Sequence, residues 1–315
     1  KELYTLSYGI IPSKSNAYDD YLGLAVVLEE IAKTKPEAAS LLVDQITAQE
    51  IFTKYSDFSN FDSNKIYAVL CSEPGVALVN AFKTTAVRTE DGYKLEGVKQ
   101  ITSEQSLADE FLVAAKDEEE KVRIFSVLKS DIEFETVERE FNGKNLKINQ
   151  ARIFANVEDS VVVINDNFER VQSVARTLIA AVATGIAHSA ILSGVSVVKQ
   201  TKGPDDQAIA STQSAQFTLA DMFAEVEMGR MLTYLSANLI DNGQANIKNA
   251  TMAKIQASNA ATKVSVEALQ VLGNVGYLAT NDFADSIKAA LNCQIKGGTN
   301  RVQKNQLYGY MLAKK

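Results

Sequence analysis

At 315 residues, and with roughly 150 residues to a domain, the chain holds one large or two to three small domains with an ample core. Hydrophobic residues at 46% against 23% charged, with four prolines, exclude disordered, collagen-like and linker classes. Lys+Arg 32 against Asp+Glu 39 leaves a net charge of −7 without a basic run, so the chain repels phosphate backbones and anionic membrane surfaces, and nucleic acid is not an expected partner.

In chain order, the front opens Lys1-Glu2-Leu3-Tyr4, without the basic-then-apolar pattern of a signal peptide and without Met, and so reads as trimmed, while the two cysteines make a cytoplasmic home the expectation. From about 19 to 55 the texture is helical. Residues 21–32 carry apolar positions at helical spacing with acids such as Glu29 and Glu30 on what reads as a solvated face, and Pro36 starts a second helix through Ile51. From about 65 to 165 the period changes to two. Residues 82–88 and 93–98 flank an Asp91-Gly92 hairpin turn, and further short strands follow at 110–115, 122–128, 134–137, 152–157 and 161–164. The segment reads as an all-antiparallel barrel or sandwich. From about 168 onward long helices return, at 171–200, 211–242, 245–272, 282–295 and 300–312, with Asn242-Gly243 and Gly273 as stops. These form a bundle. The expected class is therefore α+β, divided as a helical segment 1–65, a β-domain 66–166 and a helical bundle 167–315.

The run from Thr177 to Val198 lacks charge between Arg176 and Lys199 and matches the ~20 residues of a membrane span. Its Ala content and its Thr184, His188, Ser189, Ser193 and Ser196 suit instead a helix buried at the centre of a bundle. Cys71, Cys293 and the single histidine His188 make neither a metal site nor a Ser-His-Asp or Cys-His constellation, and His188 in its apolar run reads as structural. There is no nucleotide-binding glycine motif, zinc-protease motif or calcium loop. Gly297-Gly298 suits either an anion-binding nest or a plain helix C-cap. Glu118-Glu119-Glu120 reads as a solvated turn.

Several short words then occur in a fixed order. Ser72-Glu73-Pro74-Gly75 is followed by Lys83-Thr84-Thr85-Ala86, by 91–99 and by Ile101-Thr102-Ser103. In the bundle come Arg176, Gly185-Ile186-Ala187, Gln213-Ser214-Ala215-Gln216 with Leu219-Ala220-Asp221-Met222, Ala253-Lys254, the segment 268–277, and Gly298-Thr299 with Gln303. Together they resemble the acyl-CoA dehydrogenase family over nearly the whole chain. The resemblance implies an N-terminal helical domain, a central β-domain and a C-terminal helical bundle. It also implies FAD as cofactor, an acyl-CoA or acyl-carrier-protein thioester as substrate, a homo-oligomer, specifically a tetramer, and a place in fatty acid metabolism. The implied reaction removes a proton beside the thioester carbonyl and a hydride from the next carbon, giving the 2-enoyl thioester. By that resemblance Ser72 and Thr102 meet the flavin ring; Lys202, Gln213, Gln270, Gly273 and Thr299 contact other parts of FAD, with the Gln270 to Gly273 turn reaching into a neighbouring subunit; and Arg176 serves the substrate.

The departures define the alternatives. The family's Glu-Pro-Gly-Ala-Gly-Ser-Asp word reads Glu73-Pro74-Gly75-Val76-Ala77-Leu78-Val79, without its serine, and Gln100 replaces an aromatic residue beside the flavin. Arg-x-x-Phe-Gly becomes Lys202-Gly203-Pro204-Asp205-Asp206, and the front begins near Tyr8-Gly9-Ile10-Ile11-Pro12, without the family's first helices. Tyr-Glu-Gly-Thr becomes Lys296-Gly297-Gly298-Thr299, so Gly297 takes the place of the catalytic glutamate, and Ala175 takes the place used by a minority of the family. Three readings follow: a flavin-dependent acyl thioester dehydrogenase, a flavin-dependent oxygenase of the same fold, or a catalytically silent partner subunit or ligand-binding member, that is, a pseudoenzyme.

Overall fold

A computed structural model of the chain describes residues 20–55, 62, 64–76, 81–102, 105–141, 144–158, 161–163, 168–203, 205–273, 276 and 283–313. The Tyr8 to Pro12 word, residues 77–79, Ser103, Ile164, Pro204, and Asn274, Val275 and Tyr277 lie outside that set. Two compact units emerge, one built on Leu41–Val171, the other on the described residues from 20 to 40 together with those from Gln172 onward.

The first unit holds most of helix α2 (Pro36–Tyr55) and strands β1 (Tyr67–Leu70), β2 (Thr85–Thr89), β3 (Gly92–Gln100), β4 (Glu110–Lys116), β5 (Val122–Leu128), β6 (Ile132–Phe141), β7 (Lys144–Glu158) and β8 (Val161–Val163). The strands lie in one sheet in the order β6-β7-β3-β2-β4-β5-β8, with β1 added beside β4. The hairpin at Asp91-Gly92 is present, Thr89 pairing with Gly92. The strands are not all antiparallel, however. β1 runs parallel to β4, and β2 touches the end of β4 in parallel through Thr85 and Lys116. About forty residues separate β1 from β4, enough chain for the crossover that a parallel neighbour requires.

β4 organises this unit. Its residues Phe111 to Ala115 are all buried, and their alternation serves two cores. Phe111, Val113 and Ala115 join Leu70, Leu95, Phe125 and Ile153 on one side. Leu112 and Ala114 join Ile51, Phe52, Tyr67 and Ile124 on the other, where the Phe52 and Tyr67 rings meet edge to face at 5.1 Å. Each fully buried Val, Leu, Ile or Phe among them contributes about 1.5–3 kcal/mol by leaving water. β6 and β7 run longer than their apolar alternation suggests, pairing from Ile132 with Ile153 to Phe141 with Lys144.

The second unit contains α1 (Tyr21–Ala32), α3 (Phe168–Gln200, most of which lies here), α4 (Gln213–Asp241), α5 (Ile247–Leu272), α6 (Phe283–Ile295) and α7 (Asn300–Ala313). Side chains at their starts satisfy orphan amides: Asp20 accepts from Gly23 N, Thr212 from Ala215 N and Asn246 from Lys248 N. Asp241, at the end of α4, accepts from the first amides of α1, Tyr21 N and Leu22 N. Its negative charge also suits the helix N-terminus.

α3 is the one helix among the described residues long and apolar enough to cross a membrane, and 72% of its apolar window is buried inside the protein. It is a core helix. Gly185 shows how closely it is packed, because a Cβ there would lie 2.2 Å from the Glu29 carbonyl oxygen of α1.

Glu29 corrects the reading of an acidic solvated face. It is buried, accepting from Arg230 Nη2 at 2.7 Å and from the Tyr234 hydroxyl at 2.9 Å, while Glu30 stays exposed beside Lys33. The helical repeat alone cannot say which of two adjacent acids turns inward; a facing arginine on α4 decides it. His188 belongs to the same cluster, its Nδ1 3.0 Å from Arg230 Nη2. Guanidinium only donates, so Nδ1 accepts and the imidazole is neutral. Burial, with Lys33 and Arg230 nearby, holds its pKa below the ordinary value.

Candidate functional site

In the sheet unit, the ends of β1 and β3 meet. Gln100 N donates to Ser72 O at 2.8 Å, which brings the segment carrying Ser72 and the segment leading to Thr102 side by side. Ser72 is exposed and Thr102 half-buried. Beneath them lies Glu73, whose side chain is 2% exposed, paired at 2.7 Å with Lys99, whose side chain is 0% exposed. Glu73 also accepts from Lys83 N at 2.6 Å and Thr84 N at 3.1 Å, and Lys99 Nζ stands 4.3 Å from the centre of the Phe82 ring.

Burial raises the Glu73 pKa, but the Lys99 ammonium and the two amides outweigh it and leave the carboxyl below its ordinary value. Burial likewise pulls Lys99 below the usual lysine value against the pull of Glu73. The neighbouring Cys71 thiol is pushed up to about 11 by burial, which leaves it unreactive at neutral pH.

Thr102 opens the short 3₁₀ turn Gln105–Leu107 as a capping box. Its Oγ1 accepts from Gln105 N at 3.3 Å, while Gln105 Oε1 accepts from Thr102 N at 3.1 Å. Because Oγ1 accepts there, its own hydroxyl proton remains for an outside acceptor. An acceptor nitrogen on the edge of a flavin ring suits that proton, so Thr102 and the exposed Ser72 fit the group expected beside them.

In the helical unit, Arg176 and Gly297 come together. Arg176 is 2% exposed. Its Nε donates to Gly297 O at 3.2 Å, and its Nη1 donates to Thr251 Oγ1 at 2.7 Å and Gln306 Oε1 at 2.9 Å. Gln303 Nε2 donates to Gly297 O at 2.9 Å and Gly298 O at 2.7 Å. Lys254 Nζ, on α5, donates to Gln294 O, Gly298 O and Asn300 Oδ1 at 2.8–3.0 Å. Cationic and amide donors thus gather the carbonyls at the end of α6, which favours the helix C-cap over the anion nest. Burial pushes the Lys254 ammonium down to about 7.

Gly297 sits at φ 69°, where an added Cβ would lie 2.7 Å from Ile179 Cδ1. Among the described residues, the side chains that meet the Gly297 and Gly298 backbone include Arg176, Ile179, Gln303 and Lys254, and none of these is a carboxylate. Thr299 caps α7, its Oγ1 accepting from Val302 N at 3.3 Å.

The remaining expected contacts lie at helix ends. Lys202 is exposed and pairs with Asp206 Oδ1 at 2.8 Å, so one of the two acids in its word is neutralised within the loop. Gln213 is the exposed first residue of α4, a few residues along the same connection. Gln270 is exposed in the last turn of α5, and the Gly273 amide closes that helix on Leu269 O and Gln270 O. Among the described residues no cluster of three or more His, Cys, Asp or Glu is placed to hold a metal ion.

Residues 169–312 match the family model for the acyl-CoA dehydrogenase C-terminal domain. The chain is 30% identical over 304 residues to cyclohex-1-ene-1-carbonyl-CoA dehydrogenase of Geobacter metallireducens, covering 89% of this chain and 80% of that protein. Among solved structures it resembles butyryl-CoA dehydrogenase of Megasphaera elsdenii, with TM-score 0.82 and 24% identity over 93% of this chain and 82% of that one. It also resembles a glutaryl-CoA dehydrogenase of Mycobacterium smegmatis in complex with FADH2, with TM-score 0.86 and 17% identity over 100% of this chain and 86% of that one.

Proposed function

Because the chain belongs to the acyl-CoA dehydrogenase family, we propose that it is a flavoprotein that binds FAD and oxidises an acyl thioester to the 2-enoyl thioester. The observation that carries this reading is the paired end of β1 and β3, where Ser72 is exposed and Thr102 keeps a hydroxyl proton for an external acceptor. When bound, FAD supplies the acceptor for the hydride that leaves the β-carbon. Thr102 and Ser72 orient the ring edge; Gln213, Gln270, Gly273, Thr299 and Lys202 serve the rest of the cofactor. Arg176 serves the substrate, and its Nε donates to the Gly297 carbonyl.

The α-proton has no carboxylate acceptor at either position the family uses, since these are Gly297 and Ala175. A base from another position must take it, and without a base positioned at those places the rate is lower by the ~10²–10⁴ that such a group contributes. That same observation favours a second reading, a silent partner subunit that holds cofactor or thioester without turnover. Mixing the FAD-loaded protein anaerobically with butyryl-CoA and longer straight-chain acyl-CoA thioesters separates the two. Slow bleaching of the visible flavin band with formation of the enoyl product supports the dehydrogenase; a band unchanged over hours leaves the silent subunit.

The rest of the proposal concerns assembly and place. A homotetramer suits the exposed apolar side chains along α4, including Phe217, Met228, Met231 and Leu235. A cytoplasmic home, a role in fatty acid metabolism and the division 1–65, 66–166 and 167–315 complete it.

A further inference from the structure

We propose that Gln105 and Asp44 are positioning residues for the flavin, acting through Thr102; the inference rests on the flavin reading above. Gln105 is 8% exposed and Asp44 5% exposed. Gln105 Nε2 donates to Asp44 Oδ2 at 2.9 Å and to Val69 O at 3.3 Å. An ionised carboxylate only accepts, so the carboxamide atom facing Asp44 must be the NH2, and the atom facing Thr102 N must be the oxygen. The amide cannot flip without setting a carbonyl against a carboxylate. This arrangement ties three elements together at one point: α2 through Asp44, β1 through Val69, and the segment after β3 through Thr102.

The consequence falls on one hydroxyl. With its amide held by Gln105 Oε1 and one Oγ1 lone pair engaged by Gln105 N, the Thr102 oxygen is held in place and its hydroxyl proton is kept off the side that faces the Gln105 amide. A capping box alone would satisfy the 3₁₀ turn. Anchoring the cap on a buried carboxylate from a separate helix adds nothing to the turn's own hydrogen bonds. What it adds is a fixed place for the donor beside Ser72.

The test uses the full chain, with FAD binding followed by flavin fluorescence and by the visible absorption of the bound ring. Q105L and D44L weaken FAD binding by about tenfold, the value of one hydrogen bond. Both shift the bound-flavin spectrum in the same direction as T102V. D44N, which keeps an acceptor oxygen for Gln105 Nε2, restores most of what D44L loses. Q105L adds nothing to the spectral shift of T102V, because Gln105 acts on the flavin only through the Thr102 hydroxyl that T102V removes. Circular dichroism melting of each apoprotein identifies a variant that fails to fold, and D44N with T102V then carries the comparison. A Q105L protein with the wild-type spectrum and affinity, or a shift that adds to that of T102V, overturns the inference alone. A wild-type chain that takes up no FAD overturns the flavin reading beneath it.

Discussion

Glu73→Gln removes one charge from a pair that no water reaches. The carboxylate's two oxygens take three donors: Oε1 receives Thr84 N and Lys99 Nζ, and Oε2 receives Lys83 N. A glutamine has one oxygen, so whichever way its amide turns, an NH2 faces an N–H or an ammonium. Lys99, with a side chain 0% exposed, then has at best a neutral amide oxygen and the Phe82 ring in place of its counter-charge, the ring contact being worth up to about 2 kcal/mol when desolvated. Breaking one side of a buried pair costs ~3–5 kcal/mol. The expected loss of unfolding free energy, measured by urea titration with circular dichroism, falls in that range. Adding Lys99→Met recovers most of it, because the orphaned ammonium leaves too. The pH dependence has a definite sign. The folded-state pKa of Glu73 lies below its ordinary 4.5, so its contribution is complete above that pH and is lost as the pH falls through the depressed value. E73Q flattens that acid limb. A cost under about 1 kcal/mol, or strict additivity with K99M, would refute the argument.

Two further variants probe the helical unit. Lys254 is held down to about 7 from 10.5 by burial, so between those values the unfolded chain binds the extra proton and stability rises with pH; K254M abolishes that rise in urea titrations run across the window. Gly297→Glu meets φ 69° and Ile179 Cδ1 at 2.7 Å and should cost ~2–4 kcal/mol in strain and overpacking, whereas G297E combined with I179A relieves the contact and should speed butyryl-CoA bleaching by ~10²-fold or more by supplying a base.

What could be read from the residues was mostly local. The hairpin at Asp91-Gly92, the stop at Gly273 and the polar Ala-rich texture of α3 each carry their cause within a few positions, and the structure places them accordingly. The front half of β7 was not legible in the same way. Residues 144–149 fall between the strands expected at 134–137 and 152–157, yet they pair with β6 from Lys144 with Phe141 to Asn149 with Thr136, continuing the ladder of the back half, which also pairs with β3 from Gln150 onward, and that continued ladder outweighs weak local preference. The parallel joining of β1 to β4 depends on a crossover that no periodicity reveals.

The candidate site divides in the same manner. Ser72 and Thr102 were findable as words, and Thr102-Ser103-Glu104-Gln105 carries the S/T-x-x-Q pattern of a capping box in plain view. The burial of Lys99, Asp44 and Lys254 gave no comparable signal, although Lys99 and Lys254 stand within words of that fixed order. Their partners lie 26, 61 and 40 to 46 positions away, and only the folded chain shows that these polar groups are buried. Glu29 is similar, its carboxylate reaching Arg230 across 201 positions.

The central claim is that this chain carries flavin, and the visible absorption spectrum of the purified full chain, with release and quantification of FAD after denaturation, tests it most directly. The account predicts one FAD per chain, either as isolated or after incubation with added FAD. A protein that stays colourless with FAD in excess would contradict it and leave the silent subunit as the function of this fold.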